Sequence, residues 1–265
     1  MNRPVDPLTL TAKPAAPAIP ETARRLALGA VAGPILFTLA WLVLGFLSPG
    51  YTIWDTRIAP YSPISQPISG LGLGPTAPFM NAAFVLGGLV LMAGVIGVFQ
   101  TMSASGRPSA RRVCAALLAL SGLGLVVDGI FDLEAIIPHL LGFLLATSTP
   151  VLGFLAAGFF LRGIPRWRRF GNWLLVGSPL TLLLVVLFFQ VFDPAASGAN
   201  QGMAGLIQRL LAVEVHAWYV GMGWLAFRRP QFARSPRGGR PTLGADDQPV
   251  IARNATAPSI ARASR

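Results

Sequence analysis

Six apolar runs, each long enough to cross a lipid bilayer, are the feature that most constrains how this chain folds. They cover residues 26–47, 79–99, 112–131, 138–161, 172–192 and 204–227. A helix of about 20 residues spans the hydrocarbon core, and continuous apolarity over this length excludes the alternating pattern of barrel strands. Because backbone groups in lipid must be satisfied by hydrogen bonds within the segment, helices are required. The sequence therefore predicts an all-α integral membrane bundle of six transmembrane helices.

Composition and charge narrow the class of partner. The 265 residues are 53% hydrophobic and 12% charged, whereas a soluble domain carries about 25% charged residues. The net charge of +11 does not predict nucleic-acid binding, because the basic residues flank apolar runs and form no basic face. Membrane lipids are the expected partners, and the sequence indicates no protein partner. The single cysteine, Cys114, excludes an intramolecular disulfide. Without CxxC or HExxH spacing no metal site is predicted, and the sequence leaves the cofactor unknown.

The distribution of basic residues predicts the orientation of the chain. All lysines and arginines except Arg57 and Arg209 fall in the two tails, the 100–111 and 162–171 loops, or the adjoining helix ends at Arg25, Arg112 and Arg228. These segments share one side of a six-span bundle, so both termini are predicted to be cytoplasmic. Lys13 is the only lysine, a usage typical of GC-rich bacterial genomes. The expected location is a bacterial cytoplasmic (inner) membrane, and the tails at 1–24 and 229–265, flanking a transmembrane domain at 25–228, are predicted to be disordered.

One connection, residues 48–78 on the predicted outer side, is much longer than the others. It reads SPGYTIWDTRIAPYSPISQPISGLGLGPTAP, far beyond the roughly 2–8 residues usual between packed helices, and such loops are commonly functional. Its prolines, serines and small residues are consistent with a tucked or re-entrant segment. Ser65 and Ser69 would lie one turn apart if this piece were helical. A serine nucleophile would need a base from another segment, and turn or capping roles are the favoured alternative.

Ionisable residues inside the spans are the other candidates for function, because they are costly in lipid. Those expected in the outer half of the bundle are Asp128, Asp132, His139, Arg209, Glu214 and His216. Asp128 and Asp132 share a helix face, and Pro138 suits the first position of the fourth helix, which places His139 in its first turn.

Three interpretations of this polar set remain open. The first is a structural network in which Arg209 neutralises Asp128 or Asp132 and His139 caps helix ends. The second is a membrane-embedded hydrolase in which a carboxylate and His139 act on a lipid at the outer leaflet, either directly or through a metal such as zinc, although the spacing of known zinc motifs is absent. The third, on which the functional prediction rests, is binding or transport of a small polar or lipid ligand by Asp128, Asp132, His139 and Arg209.

Several short motifs point to a known family. They are the run YSPISQPISGLG at 61–72, Phe79-Met80-Asn81, Asp128, Asp132, His139, the Gln208-Arg209 pair and Trp218. Over residues 25–228 the chain resembles the bacterial six-span membrane family named domain of unknown function 998. Family members usually have an acidic residue after the second serine, where this chain has Gly70, so no carboxylate role is carried over to the loop. The resemblance implies the six-span topology and marks these positions, but it implies no activity.

Overall fold

The computed structural model describes residues 20–102 and 106–228, which are mainly helical. The helices are α1 (Glu21–Ala27), α2 (Gly29–Leu47), α3 (Ala77–Gln100), α4 (Pro108–Ile130), α5 (Ile136–Thr147), α6 (Thr149–Arg162), α7 (Arg168–Val191), α8 (Pro194–Gly198) and α9 (Ala204–Arg228). Six segments are long and apolar enough to span a membrane: Glu21–Leu47, Gly74–Gln100, Pro108–Ile130, Ile136–Arg162, Arg168–Val191 and Ala204–Arg228. The prediction of an all-α bundle with six transmembrane helices is confirmed.

The helix starts differ from the predicted ones by up to five residues. The first span begins at Glu21, since Arg24 donates from Nε and Nη2 to the carbonyl oxygen of Phe227 in α9, at 3.1 and 2.7 Å. The fourth begins at Ile136 and not at Pro138; a proline in the first turn costs no helical hydrogen bond, because the first N–H groups have no intrahelical partner. The predicted disordered tails lie outside the described residues, apart from the few that begin α1.

The six spans close into a ring. Helix α3 packs between α2 and α4, α4 contacts both α5 and α6, α6 packs on α7, and α7 packs on α9. Helix α9 then returns to α2, so the last span closes the bundle against the first. Two spans are broken once, where α1 meets α2 at Leu28 and where α5 meets α6 at Ser148.

Close approach of two helices depends on a glycine in α3. A Cβ atom at Gly94 would lie 1.8 Å from the backbone nitrogen of Ala30 in α2. Gly94→Ala is therefore expected to force the helices apart and to lower the free energy of unfolding by about 1–3 kcal/mol, the usual cost of overpacking. Thermal denaturation in detergent measures this. Gly45→Ala is the matched control, because its Cβ would meet only Tyr61, at 3.8 Å; an equal loss in both variants would contradict the argument.

The long connection between α2 and α3 folds over one end of the bundle. Its first part is a hairpin of strands β1 (Tyr51–Ile53) and β2 (Thr56–Ile58). The two turn residues, Trp54 and Asp55, have φ of 43° and 64°, as a tight hairpin turn requires. We call the end of the bundle that carries this connection, the 131–135 turn and residues 192–203 the loop face.

Residues 65–73 of this connection, here called the tucked segment, are all buried. Their centre is a 3₁₀ helix, Ile68–Gly72, which packs against α2, α3 and α9. The segment thus enters the bundle from the loop face, as the composition of the loop predicts. Because the segment is buried, Ser69 lies inside the bundle, close to the loop face.

Candidate active site

Arg209 of α9 fixes the tucked segment in place. Its Nη1 donates to the carbonyl oxygens of Pro63 at 2.8 Å and Gln66 at 3.0 Å, and its Nη2 donates to the hydroxyl of Tyr61. That hydroxyl donates in turn to the carbonyl oxygen of Pro67 at 3.1 Å. Burial raises the pKa of Tyr61, against an opposing effect of Arg209, so the phenol keeps the proton that it donates. Arg209 is therefore satisfied by the loop itself.

The neighbouring residue on α9 sets the position of the 3₁₀ helix. The side-chain Oε1 of Gln208 accepts a hydrogen bond from the backbone N–H of Ile68 at 2.5 Å. This N–H is the first of the 3₁₀ helix and has no partner within it. The bond therefore caps the 3₁₀ helix one residue before Ser69 and determines how far that serine reaches into the bundle.

Ser69, His139 and Asp128 meet beneath the loop face. The Oγ of Ser69 lies 2.8 Å from Nε2 of His139, and Nδ1 of His139 lies 2.7 Å from the carbonyl oxygen of Phe131. Oδ1 of Asp128 lies 3.6 Å from the same Nδ1. Ser69 and His139 are each 5% exposed and Asp128 is 3% exposed. The three side chains, which come from the tucked segment, α5 and α4, form one buried cluster.

The hydrogen bonds fix which nitrogen of His139 carries the proton. A backbone carbonyl only accepts, so Nδ1 must donate to Phe131. In the neutral imidazole Nε2 is then unprotonated and accepts from the hydroxyl of Ser69. The histidine is thus oriented, in its resting state, to remove a proton from the serine.

The turn between α4 and α5 aligns the histidine with the aspartate. Helix α4 ends at Ile130, and Oδ1 of Asp132 accepts from the backbone N–H of Glu134 at 3.0 Å, which stabilises the turn. On α5, a Cβ atom at Gly142 would lie 2.2 Å from Oδ1 of Asp128. Only a glycine leaves room for the carboxyl group against this helix.

A cavity of about 40 Å³ borders Ser69 and Asp128. The polar side chains in its lining are Ser69, Asp128, Thr147, Gln208 and His216, and the remainder is apolar. Among the described residues, Oδ1 of Asp128 has no hydrogen-bond partner. A buried carboxyl oxygen without a donor is costly, and a cavity of this volume has room for one or two water molecules. A water molecule in the cavity would therefore lie within reach of Asp128.

The ion pair between Arg209 and Asp128 or Asp132, which the structural interpretation requires, does not form in the described residues. Arg209 contacts no carboxylate in the part of the chain that the structure describes; its guanidinium bonds to the loop and to the carbonyl oxygen of Gly205 at 2.9 Å. Asp132 is engaged in the turn and makes no hydrogen bond to Asp128 or His139. One element of that interpretation does occur, since His139 satisfies the carbonyl of Phe131, the residue that caps α4.

Three further candidate residues, Ser65, Glu214 and His216, make hydrogen bonds to groups other than Ser69, His139 and Asp128. Oγ of Ser65 donates to Oδ1 of Asn200 at 3.4 Å. Glu214 accepts from Thr181 at 2.8 Å and from the indole N–H of Trp218 at 2.5 Å, between α7 and α9. His216 lines the cavity, with its Nδ1 3.4 Å from the hydroxyl of Thr38. Within residues 20–102 and 106–228, no group of three or more His, Cys, Asp and Glu is arranged to hold a metal ion.

The roles of three parts of the site cannot be predicted from the sequence. The carbonyl of Phe131, which sets the tautomer of His139, is a backbone group that any residue would supply. The role of Gln208 depends on its distance from Ile68, which only the path of the tucked segment determines. Gly142 is likewise one of many glycines in the spans, and its contact with Asp128 appears only in three dimensions.

The comparison with protein families agrees with this description. The model of the family described as protein of unknown function (DUF998) matches residues 31–225, a range that includes the tucked segment and all three cluster residues. Comparisons with curated proteins and with solved structures give no match. Because the family model covers most of the chain, this protein belongs to the DUF998 family.

Proposed function

We propose that this protein is a membrane-embedded serine hydrolase that cleaves a carboxylic ester of a lipid at the loop face. The observation that carries the proposal is the 2.8 Å contact between Oγ of Ser69 and the unprotonated Nε2 of His139. A nucleophile within hydrogen-bond reach of a base, whose other nitrogen is held by a third group, is the signature of nucleophilic catalysis. Here the third group is the carbonyl of Phe131, with Asp128 beside it.

The reaction follows from the positions of the protons. Oγ of Ser69 attacks the ester carbonyl carbon while its proton passes to Nε2 of His139, which becomes an imidazolium. That imidazolium returns the proton to the leaving alkoxide as the ester bond breaks, so an alcohol departs and an acyl-serine remains. A water molecule then attacks the acyl group and gives one proton to Nε2 of His139. His139 passes this proton to Oγ of Ser69 as the acyl–serine bond breaks, so the carboxylic acid leaves and both side chains return to their starting state. The cavity beside Ser69, of about 40 Å³, has room for that water or for the carbonyl group of the ester, while the rest of the lipid lies outside it.

Asp128 supports the charge that forms during the reaction. When Nε2 takes the proton of Ser69, His139 carries a positive charge in a buried environment, where electrostatic interactions are weakly screened. Oδ1 of Asp128, 3.6 Å from Nδ1 and without another partner among the described residues, is the nearest carboxyl oxygen. In its ionised form this carboxyl group favours the imidazolium, whereas the carbonyl of Phe131 sets the ring orientation.

We infer in addition that the loop face is the outer face of a bacterial cytoplasmic membrane, with both termini in the cytoplasm. Support comes from the arginines of the described residues, most of which lie at the end of the bundle opposite the loop face. They are Arg24, Arg25, Arg107, Arg111, Arg112, Arg162, Arg166, Arg168, Arg169 and Arg228. Within residues 20–102 and 106–228, only Arg57 and Arg209 belong to the loop-face side, and the excess of arginine favours the cytoplasm. The ester would then be that of an outer-leaflet lipid.

Labelling with a fluorophosphonate tests the proposal directly. This reagent phosphonylates an activated serine, so the detergent-solubilised protein is expected to take up one label, which peptide mass spectrometry locates at Ser69. Ser69→Ala is expected to abolish the label. Ser65→Ala is the matched control, because Ser65 bonds only within the loop face and should leave the label intact. A folded wild-type protein that takes up no label at Ser69 would refute the hydrolase.

A binding or transport role is the second candidate, and the unpartnered Oδ1 of Asp128 favours it. In this role, Asp128 and His216 would contact a solute in the cavity that they share. A volume of about 40 Å³ limits that solute to water or a group of similar size, which points to a proton relay. Proton flux in liposomes that Asp128→Asn abolishes, with no label at Ser69, would favour this role over hydrolysis.

A further inference from the structure

The fourth span is broken, and its two halves pack on different neighbours. Helix α6 packs closely on α7, whereas α5, which carries His139, packs on α4 and approaches α7 far less closely. The break lies at Ser148, directly before the residues Thr149 and Pro150 that begin α6. The ring of spans is therefore tightly closed between α6 and α7 but loosely packed between α5 and α7, in the half of the bundle that carries the loop face. We call the space between α5 and α7 in this half the lateral gap.

Phenylalanine rings fill the lateral gap. The centroid of the Phe143 ring on α5 lies 5.0 Å from that of Phe188 and 5.8 Å from that of Phe189, both on α7. Phe143 and Phe188 are buried, whereas Phe189 is 45% exposed on a span and therefore faces the lipid. Because a ring can change rotamer without displacing a helix, this contact can open while α5 and α7 stay in place.

Phe143 separates the cavity beside Ser69 from the lipid. It lines that cavity, and its ring also touches the lipid-facing Phe189. The two half-buried residues of the cavity lining, Thr147 and Ala212, lie on α5 and on α9, which packs against α7. The cavity is thus least enclosed on the side of the lateral gap, where one aromatic ring blocks the path to Ser69.

The other approach to Ser69, from the loop face, is covered by the tucked segment. Gln208 and Arg209 bond to that segment at Ile68 and Gln66, so a substrate that entered from water would have to break these hydrogen bonds. Entry through the lateral gap requires only the separation of aromatic rings. The gap is therefore the less costly path.

The size of the cavity also indicates where the rest of a substrate lies. A volume of about 40 Å³ admits one carbonyl group and no acyl chain. The lateral gap continues from the cavity as an apolar surface, and α5 and α7 extend from the loop face toward the middle of the bilayer. An acyl chain takes the same direction when its ester group lies near the membrane surface.

We propose that the substrate enters sideways from the bilayer, with an acyl chain in the lateral gap, and that Phe143 controls its access to Ser69. This inference rests on the proposed hydrolase and names its substrate class, an ester of a long acyl chain dissolved in the membrane rather than a water-soluble ester. The ring of Phe143 turns away from Phe188 and Phe189 to admit the chain and then packs beside it. Phe143 determines specificity and takes no part in proton transfer.

Two fluorophosphonates that differ only in their alkyl chain, hexadecyl and ethyl, test the path. Phe143→Ala is expected to raise the rate at which the hexadecyl reagent labels Ser69 about tenfold, because two aromatic contacts no longer oppose entry. The ethyl rate should rise much less, since a short chain occupies less of the gap. Phe143→Trp, with its larger ring, is expected to lower the hexadecyl rate. For each reagent, the ratio of the variant rate to the wild-type rate cancels partition into the detergent micelle.

Phe154→Ala is the matched control. It removes a fully buried ring of α6 that packs on Trp218 and Tyr219 and does not line the cavity. This variant should change neither labelling rate, whereas a general loosening of the bundle would raise both.

The outcomes distinguish the path from the hydrolase. Equal acceleration of the two reagents by Phe143→Ala, or unchanged rates in both Phe143 variants, would overturn the lateral path while labelled Ser69 still supported the hydrolase. A folded wild-type protein that neither reagent labels at Ser69 would refute the hydrolase and the path with it. Circular dichroism confirms that each variant is folded. If Phe143→Ala does not fold, Phe143→Leu, which stays apolar but removes the ring contacts, is expected to raise the hexadecyl rate about threefold.

Discussion

Replacing His139 with alanine is expected to slow the phosphonylation of Ser69 by about 10²- to 10⁴-fold, the range that a positioned general base contributes. Without Nε2 at 2.8 Å, the serine hydroxyl has no buried acceptor for its proton and attacks as a neutral alcohol. The rate of fluorophosphonate labelling, measured at several reagent concentrations in detergent, gives the factor. Asp128→Asn is expected to have a smaller effect, because the carbonyl of Phe131 still orients the ring.

A structural role for His139 would produce a different pattern. If the histidine only caps α4 and fills space, His139→Ala would lower thermal stability without a specific loss of labelling, and added imidazole would restore nothing. A base role predicts that imidazole at millimolar concentration restores part of the labelling rate of His139→Ala. The control is Ser121→Ala, which removes another buried bond, from Oγ to the carbonyl oxygen of Ala146 at 2.8 Å, and should leave the labelling rate unchanged.

Replacing Arg209 with methionine is expected to lower the free energy of unfolding by about 2–5 kcal/mol. The carbonyl oxygens of Pro63 and Gln66 would lose their donor inside the protein, and each buried acceptor left unsatisfied costs about 1–3 kcal/mol. The tucked segment would loosen, so labelling of Ser69 should fall together with stability. Unfolding in mixed micelles of increasing SDS content, followed by circular dichroism, measures the change. Arg209→Lys is expected to recover only part, because an ammonium cannot form the fork.

A charge exchange separates this account from the structural network of Asp128 and Arg209. If the two side chains neutralised each other, the double variant Asp128→Arg/Arg209→Asp would recover stability relative to the single variants. Because the guanidinium bonds only to the loop and α9 in the described chain, we expect the exchange to be at least as destabilising as either change alone. Recovery of stability would show that the two side chains meet and would contradict the role of Arg209 in holding the tucked segment.

The spans could be predicted from sequence because each is set by local composition, whereas the site depends on how distant segments meet. Ser69 and Ser65 appear equivalent in the sequence, as two serines four residues apart. The structure separates them because Pro67, with ψ of 158°, is extended, and a residue before proline is also biased away from helix. The 3₁₀ helix begins only after Pro67, so Ser69 points into the bundle while Ser65 stays with Asn200.

The hydrogen-bond partners of Arg209 could not be predicted from the sequence for a different reason. An arginine in a span suggests a carboxylate partner, and acids are easy to find in a sequence. Here the acceptors are backbone carbonyls of the loop, present at every residue and distinguished only by the path of the chain. Asp128 and His139, in contrast, could be placed in the same half of the bundle, because the short turn between α4 and α5 brings the ends of neighbouring helices together, but the sequence does not show that the two side chains meet.

The closure of the ring by α9 also orders events during synthesis. Ser69 and His139 belong to segments that leave the ribosome early, whereas Gln208 and Arg209, which hold the tucked segment in place, belong to the last span. Until that span packs against α2, the tucked segment lacks the hydrogen bonds that Gln208 and Arg209 make to it, although it can already contact α2 and α3. We therefore expect the contact between Ser69 and His139 to be fixed only when the bundle is complete.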